Sequence, residues 1–281
     1  MMSKQTEWPR LALIGGGQMA RALIGGWLAG GASAERISVV EPSADQRAWL
    51  AEHFPGISLL TEADETIAHA TVWVLAVKPQ RIAPIARHLS HLIGAPPPLV
   101  ISILAGIRLA DLGRWLGNTR LIRSMPNRPA LLGLGATALY ADSHITPTDR
   151  ALASQLLTAV GSVVWVDTEA DIDAVTAVSG SGPAYFFLLI ELLEAAGVAQ
   201  GLSPDVARKL AIDTAHGAAA LARTSSDDPK TLREQVTSEG GTTAAALAVF
   251  KEAKLDQIVA AAVAAATLRA QQLADDFGRD P

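Results

Sequence analysis

The stretch L-A-L-I-G-G-G-Q-M-A at residues 11–20 decides the fold. Four apolar residues predict a buried strand, the glycines predict a tight turn, and the apolar pattern over residues 19–29 predicts a helix. The G-x-G-x-x-A spacing between them is typical of a loop that holds the pyrophosphate of a dinucleotide, although an ordinary βα turn is the alternative. The residues expected to bind this cofactor are Gly15, Gly16, Gly17, Gln18, Met19 and Ala20.

The alternation of strand and helix continues beyond this loop. Further strand candidates cover residues 37–41, 72–77, 99–103, 121–124, 136–140 and 163–166, and helical patterns cover residues 45–53 and 81–92. Such alternation predicts an α/β domain of Rossmann type with a doubly wound, mostly parallel sheet. The later strands follow one another closely and without long helices. An antiparallel arrangement at this edge of the sheet is therefore an alternative.

Beyond residue 166 only helical periodicity remains. It covers residues 171–178, 184–197, 203–223, 230–236, 243–251 and 255–277. We therefore predict an NAD(P)-binding domain over residues 1–168 and an all-α domain over residues 169–281. The acidic residues 167–173 between them favour a helix N-terminus over a metal site, and the six histidines show no ligand spacing, so no metal is expected.

Composition narrows the function classes. The chain has 281 residues, of which 49% are hydrophobic, with a net charge of −5 and no cysteine. The absence of cysteine excludes disulfides, thiolate metal sites and a cysteine nucleophile. Without a basic block the chain lacks the electrostatic footprint of a nucleic-acid binder. Uninterrupted apolar runs fall short of the roughly 18 residues that span a bilayer, so we expect a cytoplasmic protein without membrane contact.

An acidic residue follows the second strand candidate. Glu41 lies 24 residues beyond Gly17, where a carboxylate hydrogen-bonds ribose hydroxyls in dinucleotide-binding folds. A carboxylate at this position repels a 2′-phosphate and favours NADH. If Glu41 turns away, Ser43 or Arg47 reaches such a phosphate, and a solvated Glu41 is a third alternative. Both NADH and NADPH therefore remain open.

Two further loops leave strands at the same predicted carboxyl edge of the sheet, outside which ligands bind in such folds. The residues expected to contact the cofactor from these loops are Ala76, Val77, Lys78 and Pro79 in the first and Ala105 and Gly106 in the second. Lys78 is either catalytic, a neutraliser of phosphate charge or a solvated lysine.

A second glycine loop, V-T-S-E-G-G-T-T at residues 236–243, precedes an alanine-rich helix. Its backbone N–H groups and hydroxyls at a helix N-terminus suit a carboxylate, while a plain helix cap by Thr242 or Ser238 explains the same residues. Thirteen of the 31 residues over 244–274 are alanine. Either helix propensity or close packing between subunits accounts for this excess.

The motifs together resemble those of the pyrroline-5-carboxylate reductase family over nearly the whole chain. The matching pieces are I-G-G-G-Q-M-A-R-A-L at 14–23, A-V-K-P at 76–79, S-I-L-A-G-I at 102–107, M-P-N at 125–127, V-S-G-S-G-P-A-Y at 178–185 and L-R-E-Q-V-T-S-E-G-G-T-T-A-A-A-L-A-V-F-K at 232–251. The resemblance implies reduction of 1-pyrroline-5-carboxylate to L-proline by NADPH or NADH. It also implies a homo-oligomer in which the helical domain swaps between two subunits, with a higher assembly of dimers left open.

The resemblance further implies roles for individual residues. The substrate carboxylate is expected on Ser238, Gly240, Gly241, Thr242 and Thr243. Thr243, the expected catalytic residue, hydrogen-bonds the substrate nitrogen, and Asn127 lies beside the nicotinamide with Ala105 and Gly106. The chain departs from the family pattern at Glu239, where proline is usual, at Arg128, where threonine is common, and at Ala63, where an asparagine often contacts the nucleotide.

Two rival functions are less compatible with these residues. A dehydrogenase acting on β-hydroxy acids usually carries a catalytic lysine in the interdomain helix, but residues 171–197 contain none. A non-catalytic dinucleotide-binding regulator would not need both the nucleotide loop and the hydroxyl-bearing loop.

Overall fold

A computed structural model of the chain describes residues 8–278. Its strands are β1 (Leu11–Ile14), β2 (Ile37–Val40), β3 (Ser58–Leu60), β4 (Val72–Leu75), β5 (Leu99–Ser102), β6 (Leu121–Met125), β7 (Gly135–Tyr140) and β8 (Gly161–Trp165). They form one sheet in the order β3-β2-β1-β4-β5-β6-β7-β8. β6 and β7 are antiparallel and the other neighbouring strands are parallel. The first six strands in this order are those of a doubly wound dinucleotide-binding sheet, as predicted.

Twelve α-helices lie within the described residues. They are α1 (Gln18–Ala29), α2 (Ala44–His53), α3 (Glu65–Ala68), α4 (Ile82–Ser90), α5 (Leu109–Leu116), α6 (Pro147–Thr158), α7 (Asp171–Val175), α8 (Gly182–Ala199), α9 (Pro204–Thr224), α10 (Pro229–Gln235), α11 (Thr242–Glu252) and α12 (Leu255–Phe277). A π-helical turn, Thr176–Gly180, joins α7 to α8.

The position of β1 inside the sheet explains why its sequence is continuously apolar. Leu11 and Leu13 belong to one buried core cluster, whereas Ala12 and Ile14 belong to another. Because successive side chains of a strand point to opposite faces of the sheet, both faces of β1 are covered. β4 and β5 are also buried throughout, so the carboxyl ends of the three strands form the edge at which the loops emerge.

The region between the last two strands differs from the prediction. We expected no long helix there, but α6 occupies Pro147–Thr158 and allows β8 to run parallel to β7. The Thr146 hydroxyl accepts a hydrogen bond from the Asp149 backbone N–H, with Pro147 in the first turn. This is a standard helix start, and the antiparallel arrangement is therefore confined to β6 and β7.

The chain divides into two compact units. The first extends to Gly180 and includes the C-terminal segment from Ala266, and the second is Ser181–Ala265. Within the first unit, Phe277 packs against the core, and Arg108 forms an ion pair with Asp275 at 2.6 Å. The domain boundary at residues 168 and 169 stays a prediction.

The helical unit exposes much of its apolar surface. Phe186 and Phe187 of α8 are each 63% exposed, and many leucines and valines of the other helices are similarly open. By length and composition alone, Asp171–Ala199 is apolar enough to cross a membrane. The prediction from uninterrupted apolar runs missed this segment, because Glu191 and Glu194 interrupt the run. The mean hydropathy of the segment nevertheless stays high enough for a membrane-spanning helix. Large exposed apolar areas of this kind mark interaction surfaces.

Candidate cofactor and substrate sites

The glycine loop lies where the ends of three strands meet. The Gly15 N–H donates to the Val40 carbonyl at 2.8 Å, and the Ala76 N–H donates to the Ile14 carbonyl at 2.8 Å. Gly15 has a φ of +107°, and a Cβ on this residue would lie 2.6 Å from the Ala76 carbonyl oxygen. Both the backbone conformation and the close approach of β4 therefore require glycine here.

The N-terminus of α1 is open toward an anion. Gly17 is the N-cap residue, and the first turn of the helix contains no acidic side chain. A Cβ on Gly17 would meet no atom within 4 Å, while Ala20 is fully buried against the sheet. Free space above an uncapped helix start, with its positive end of the helix dipole, fits a pyrophosphate.

Glu41 does not project into solvent from the end of β2. Its side chain is buried, with 8% of the residue's surface exposed. One carboxylate oxygen accepts a hydrogen bond from the Gly16 N–H at 2.9 Å, and the other accepts from the Ser43 N–H at 2.9 Å. Arg47 donates to the Glu41 backbone carbonyl at 2.7 Å. Of the three alternatives for Glu41, the solvated side chain is therefore wrong.

The loops that follow β4 and β5 emerge side by side, because the two strands are parallel neighbours. Lys78 is exposed and extended, and Pro79 begins a short 3-10 turn. Gly106 has a φ of +72°, and a Cβ there would lie 3.1 Å from a ring carbon of Phe277 and 3.3 Å from Leu273. Packing of the end of α12 therefore requires a residue without a side chain at this position.

The M-P-N loop is tied to the π-helical turn by a buried amide. The Asn127 Nδ2 donates to the Ser179 carbonyl at 2.9 Å, and its Oδ1 accepts from the Ala136 N–H at 2.9 Å. Nearby, a Cβ on Gly180 would lie 2.7 Å from the Met125 methyl carbon. The Asn127 side chain thus positions the loop, which leaves backbone atoms of the loop for any contact with the nicotinamide.

A buried arginine behind this loop escaped the sequence reasoning. Arg123 on β6 is 2% exposed and pairs with Glu169 at 3.2 Å and with Asp173 at 3.1 Å. Glu169 also accepts the Leu109 N–H at 2.7 Å. The acidic stretch therefore docks α7 onto the sheet. An arginine within an apolar strand needs a buried counter-charge, and this was the available signal.

The second glycine loop forms a tight turn. The Gly241 N–H donates to the Ser238 carbonyl at 3.1 Å, and Gly240 has a φ of +72°. This is the pattern of a type II turn, in which glycine suits the third position and proline is common at the second. Glu239 occupies that second position, so its replacement of the usual proline leaves the turn intact.

The same loop begins α11 with its N–H groups uncovered. Gly241 is the N-cap residue, and no acidic side chain lies in the first turn. In the described part of the chain, neither the Ser238 nor the Thr242 hydroxyl hydrogen-bonds to a helix N–H. The helix-cap alternative therefore lacks its hydrogen bond. Thr242 is exposed and Thr243 is half-buried, one residue further into the helix.

Across residues 8–278, no cluster of three or more His, Asp or Glu side chains could hold a metal ion. The polar groups at the sheet edge are backbone N–H groups, the Glu41 carboxylate, the Arg47 guanidinium and the exposed Lys78. At the start of α11, in the other unit, they are backbone N–H groups and hydroxyls. Backbone N–H groups at an uncapped helix start suit a bound anion.

Two family models match the chain. One, described as pyrroline-5-carboxylate reductase dimerisation, matches residues 169–273, and one, described as NADP oxidoreductase coenzyme F420-dependent, matches residues 10–106. The pyrroline-5-carboxylate reductase of Pseudomonas aeruginosa is 46% identical over 272 residues, covering 96% of this chain and 99% of the relative.

Solved structures of similar proteins agree with the fold. The structure of a pyrroline-5-carboxylate reductase from Coxiella burnetii is 36% identical with a TM-score of 0.90, covering 95% of this chain and 98% of that one. The Plasmodium falciparum pyrroline carboxylate reductase, solved with NADP bound, is 28% identical with a TM-score of 0.82, covering 96% of this chain and 99% of that one.

Proposed function

Since this chain belongs to the pyrroline-5-carboxylate reductase family, it reduces 1-pyrroline-5-carboxylate to L-proline with NAD(P)H, and we propose which of its residues carry the reaction. The reaction is the last step of proline biosynthesis. The observation that best supports the assignment of residues is the pair of uncapped helix starts, at Gly17 and at Gly241, each preceded by glycine and free of acidic side chains in the first turn.

The cofactor site uses the carboxyl edge of the sheet. The pyrophosphate binds to the backbone of Gly17, Gln18 and Met19 at the start of α1, with Gly15 and Ala20 permitting the close approach of the neighbouring strand and helix. Residues 76–79 and 105–106 line the crevice beside it, and Lys78 neutralises phosphate charge. The dihydronicotinamide supplies the hydride when bound.

The substrate site uses the loop before α11. The carboxylate of the cyclic imine accepts hydrogen bonds from the N–H groups of Thr242 and Thr243, because the Gly241 N–H already donates to the Ser238 carbonyl. Ser238, Gly240 and Gly241 form the turn beside the carboxylate. The open helix N-terminus supports this arrangement, because its partial positive charge favours a bound anion. The Thr243 hydroxyl orients the ring nitrogen.

The chemistry demands little of the protein beyond orientation. The ring nitrogen is protonated, so the C=N carbon accepts the hydride with its electron pair, the π electrons move to nitrogen, and the product is a secondary amine. No separate general acid is needed. The residues raise the rate by holding the two reactants in a reactive geometry.

Replacement of Thr243 by valine tests the substrate site. Valine keeps the shape of threonine and removes the hydroxyl, so we expect kcat/KM for pyrroline-5-carboxylate to fall by roughly 30- to 300-fold, with unchanged affinity for NADPH. The matched control is Thr148→Val in α6, whose side chain is exposed and lies outside both proposed sites, so its kcat/KM should fall by less than about threefold. Wild-type kcat/KM in Thr243→Val would overturn the assignment.

The chain forms a homodimer through its helical region, which matches the dimerisation model. We propose that the exposed apolar helices exchange between the two subunits and that dimers associate further. The exposure of Phe186, Phe187 and their neighbours supports this proposal, because a stable soluble protein covers such a surface. We also propose a cytoplasmic location. Sedimentation that shows a stable monomer would contradict the exchange.

A further inference from the structure

The end of β2 carries a carboxylate with no role in the reaction described above. Glu41 is buried at the position where dinucleotide-binding folds place the ligand of the ribose hydroxyls. Its carboxylate oxygens face the glycine loop and the following turn, and accept the N–H groups of Gly16 and Ser43 at 2.9 Å each.

This arrangement connects two loops that are far apart in sequence. Gly16 is itself buried, and a Cβ on it would lie 3.2 Å from both Cβ and Cγ of Glu41 and 2.8 Å from a methyl carbon of Leu50. The loop therefore packs directly on the glutamate side chain. If the carboxylate turned toward a ribose, the Gly16 N–H would be left buried without an acceptor, which is unfavourable.

We propose that Glu41 is a positioning residue of the pyrophosphate loop and that it does not select between NADH and NADPH. The carboxylate fixes the Gly16 peptide and, through it, the start of α1 against the β2–α2 turn. Coenzyme with or without a 2′-phosphate requires the same loop conformation. This inference rests on the proposed use of NAD(P)H at that loop.

The test is coenzyme affinity in the absence of substrate. Kd values of NADPH and of NADH are measured by fluorescence titration for the wild type, Glu41→Gln and the control Glu52→Gln, an exposed glutamate in α2. Glutamine keeps one acceptor oxygen and loses the other. We expect both Kd values to rise about five- to twentyfold in Glu41→Gln, with a NADPH/NADH ratio that changes less than about twofold, and no change in the control.

Three results would overturn the proposal. A ratio that shifts about tenfold toward NADPH would identify Glu41 as a ribose ligand that repels the 2′-phosphate. Unchanged Kd values with a lowered melting temperature would show that Glu41 only stabilises the fold. Unchanged Kd values with an unchanged melting temperature would show that Glu41 has neither role. Wild-type protein that binds neither coenzyme would instead reject the proposed function itself. If Glu41→Gln does not fold, Glu41→Asp replaces it, because the aspartate side chain is too short to reach both N–H groups. The same two Kd values and the same outcomes then apply.

Discussion

The side-chain amide of Asn127 donates a hydrogen bond to the Ser179 carbonyl at 2.9 Å. The same amide accepts the Ala136 N–H, so one buried group joins the loop after β6, the start of β7 and the π-helical turn that leads into α8. The family resemblance implies that Asn127 lies beside the nicotinamide. Its contacts explain asparagine at this position, because the side-chain amide supplies a donor and an acceptor on two separate atoms.

Asn127→Asp is expected to destabilise the protein. The substitution removes the donor and places a carboxylate oxygen against the Ser179 carbonyl, so the free energy of unfolding should fall by about 2–3 kcal/mol. Urea unfolding measures the change. Arg128→Thr, at the exposed neighbouring position, should change stability by less than about 0.5 kcal/mol. Equal stability of Asn127→Asp and the wild type would refute the structural role of the amide.

Substitution by alanine should have different effects at two glycines of the loop after β1, Gly15 and Gly17. Gly15→Ala brings a Cβ to 2.6 Å from the Ala76 carbonyl oxygen at a positive φ, so we expect a loss of about 3 kcal/mol or more in stability. Gly17→Ala meets no atom of the chain, so stability should change by less than about 1 kcal/mol while the Kd of NADPH rises tenfold or more. A Gly17→Ala enzyme with wild-type affinity would show that the pyrophosphate does not approach this residue.

Coenzyme preference is expected to depend on Arg47. Its guanidinium donates to the Glu41 carbonyl at 2.7 Å and is thereby held at the end of β2, where a 2′-phosphate would lie. In Arg47→Gln the Kd of NADPH should rise about tenfold and that of NADH less than twofold. Arg47→Lys, which keeps the charge, should raise the Kd of NADPH less than Arg47→Gln does. Equal losses for the two coenzymes would argue for a structural role of Arg47 only.

The ion pair between Arg120 and Asp149 makes stability depend on pH. The guanidinium lies 2.6 Å from the carboxylate, and its hydrogen bonds lower the pKa of Asp149 below the usual value. Because the folded-state pKa is lowered, the stabilisation is present above the unfolded-state pKa, near 3.9, and is lost as the pH falls through the lowered value. Asp149→Asn should therefore cost about 2 kcal/mol at pH 7.

The stability difference between Asp149→Asn and the wild type should narrow as the pH falls below about 4. Thermal unfolding at several pH values measures it. The exposed Asp45→Asn serves as the control and should show no such convergence. A difference that stays constant down to pH 2 would show that the carboxylate charge is not what stabilises the fold.

The sheet was predictable because its signals are local and mutually consistent. The apolar run at β1, the glycines at residues 15–17 and the following helix each specify the same βα unit. The weakest predictions concern short or polar segments. β3 has three residues and α3 has four, too few for a periodic pattern. The start of α6 is marked by the Thr146 cap and Pro147, not by apolar periodicity.

The candidate sites were predictable in their residues and less so in their contacts. Glycine spacing located both loops, but a carboxylate at position 41 does not reveal whether it faces a ribose or a backbone N–H. The two carboxylate partners of Arg123, Glu169 and Asp173, lie 46 and 50 residues away, and no local pattern joins them to the arginine. Such pairings depend on tertiary packing, which the sequence alone does not display.

The most direct test of the whole account is the stoichiometry of the reaction. Purified protein is incubated with NADPH and limiting pyrroline-5-carboxylate, and the loss of absorbance of the reduced coenzyme is compared with L-proline formed. The account predicts one L-proline for each NADPH oxidised, with no oxidation when the substrate is omitted. Oxidation without L-proline, or no substrate-dependent oxidation with either NADPH or NADH, would contradict it.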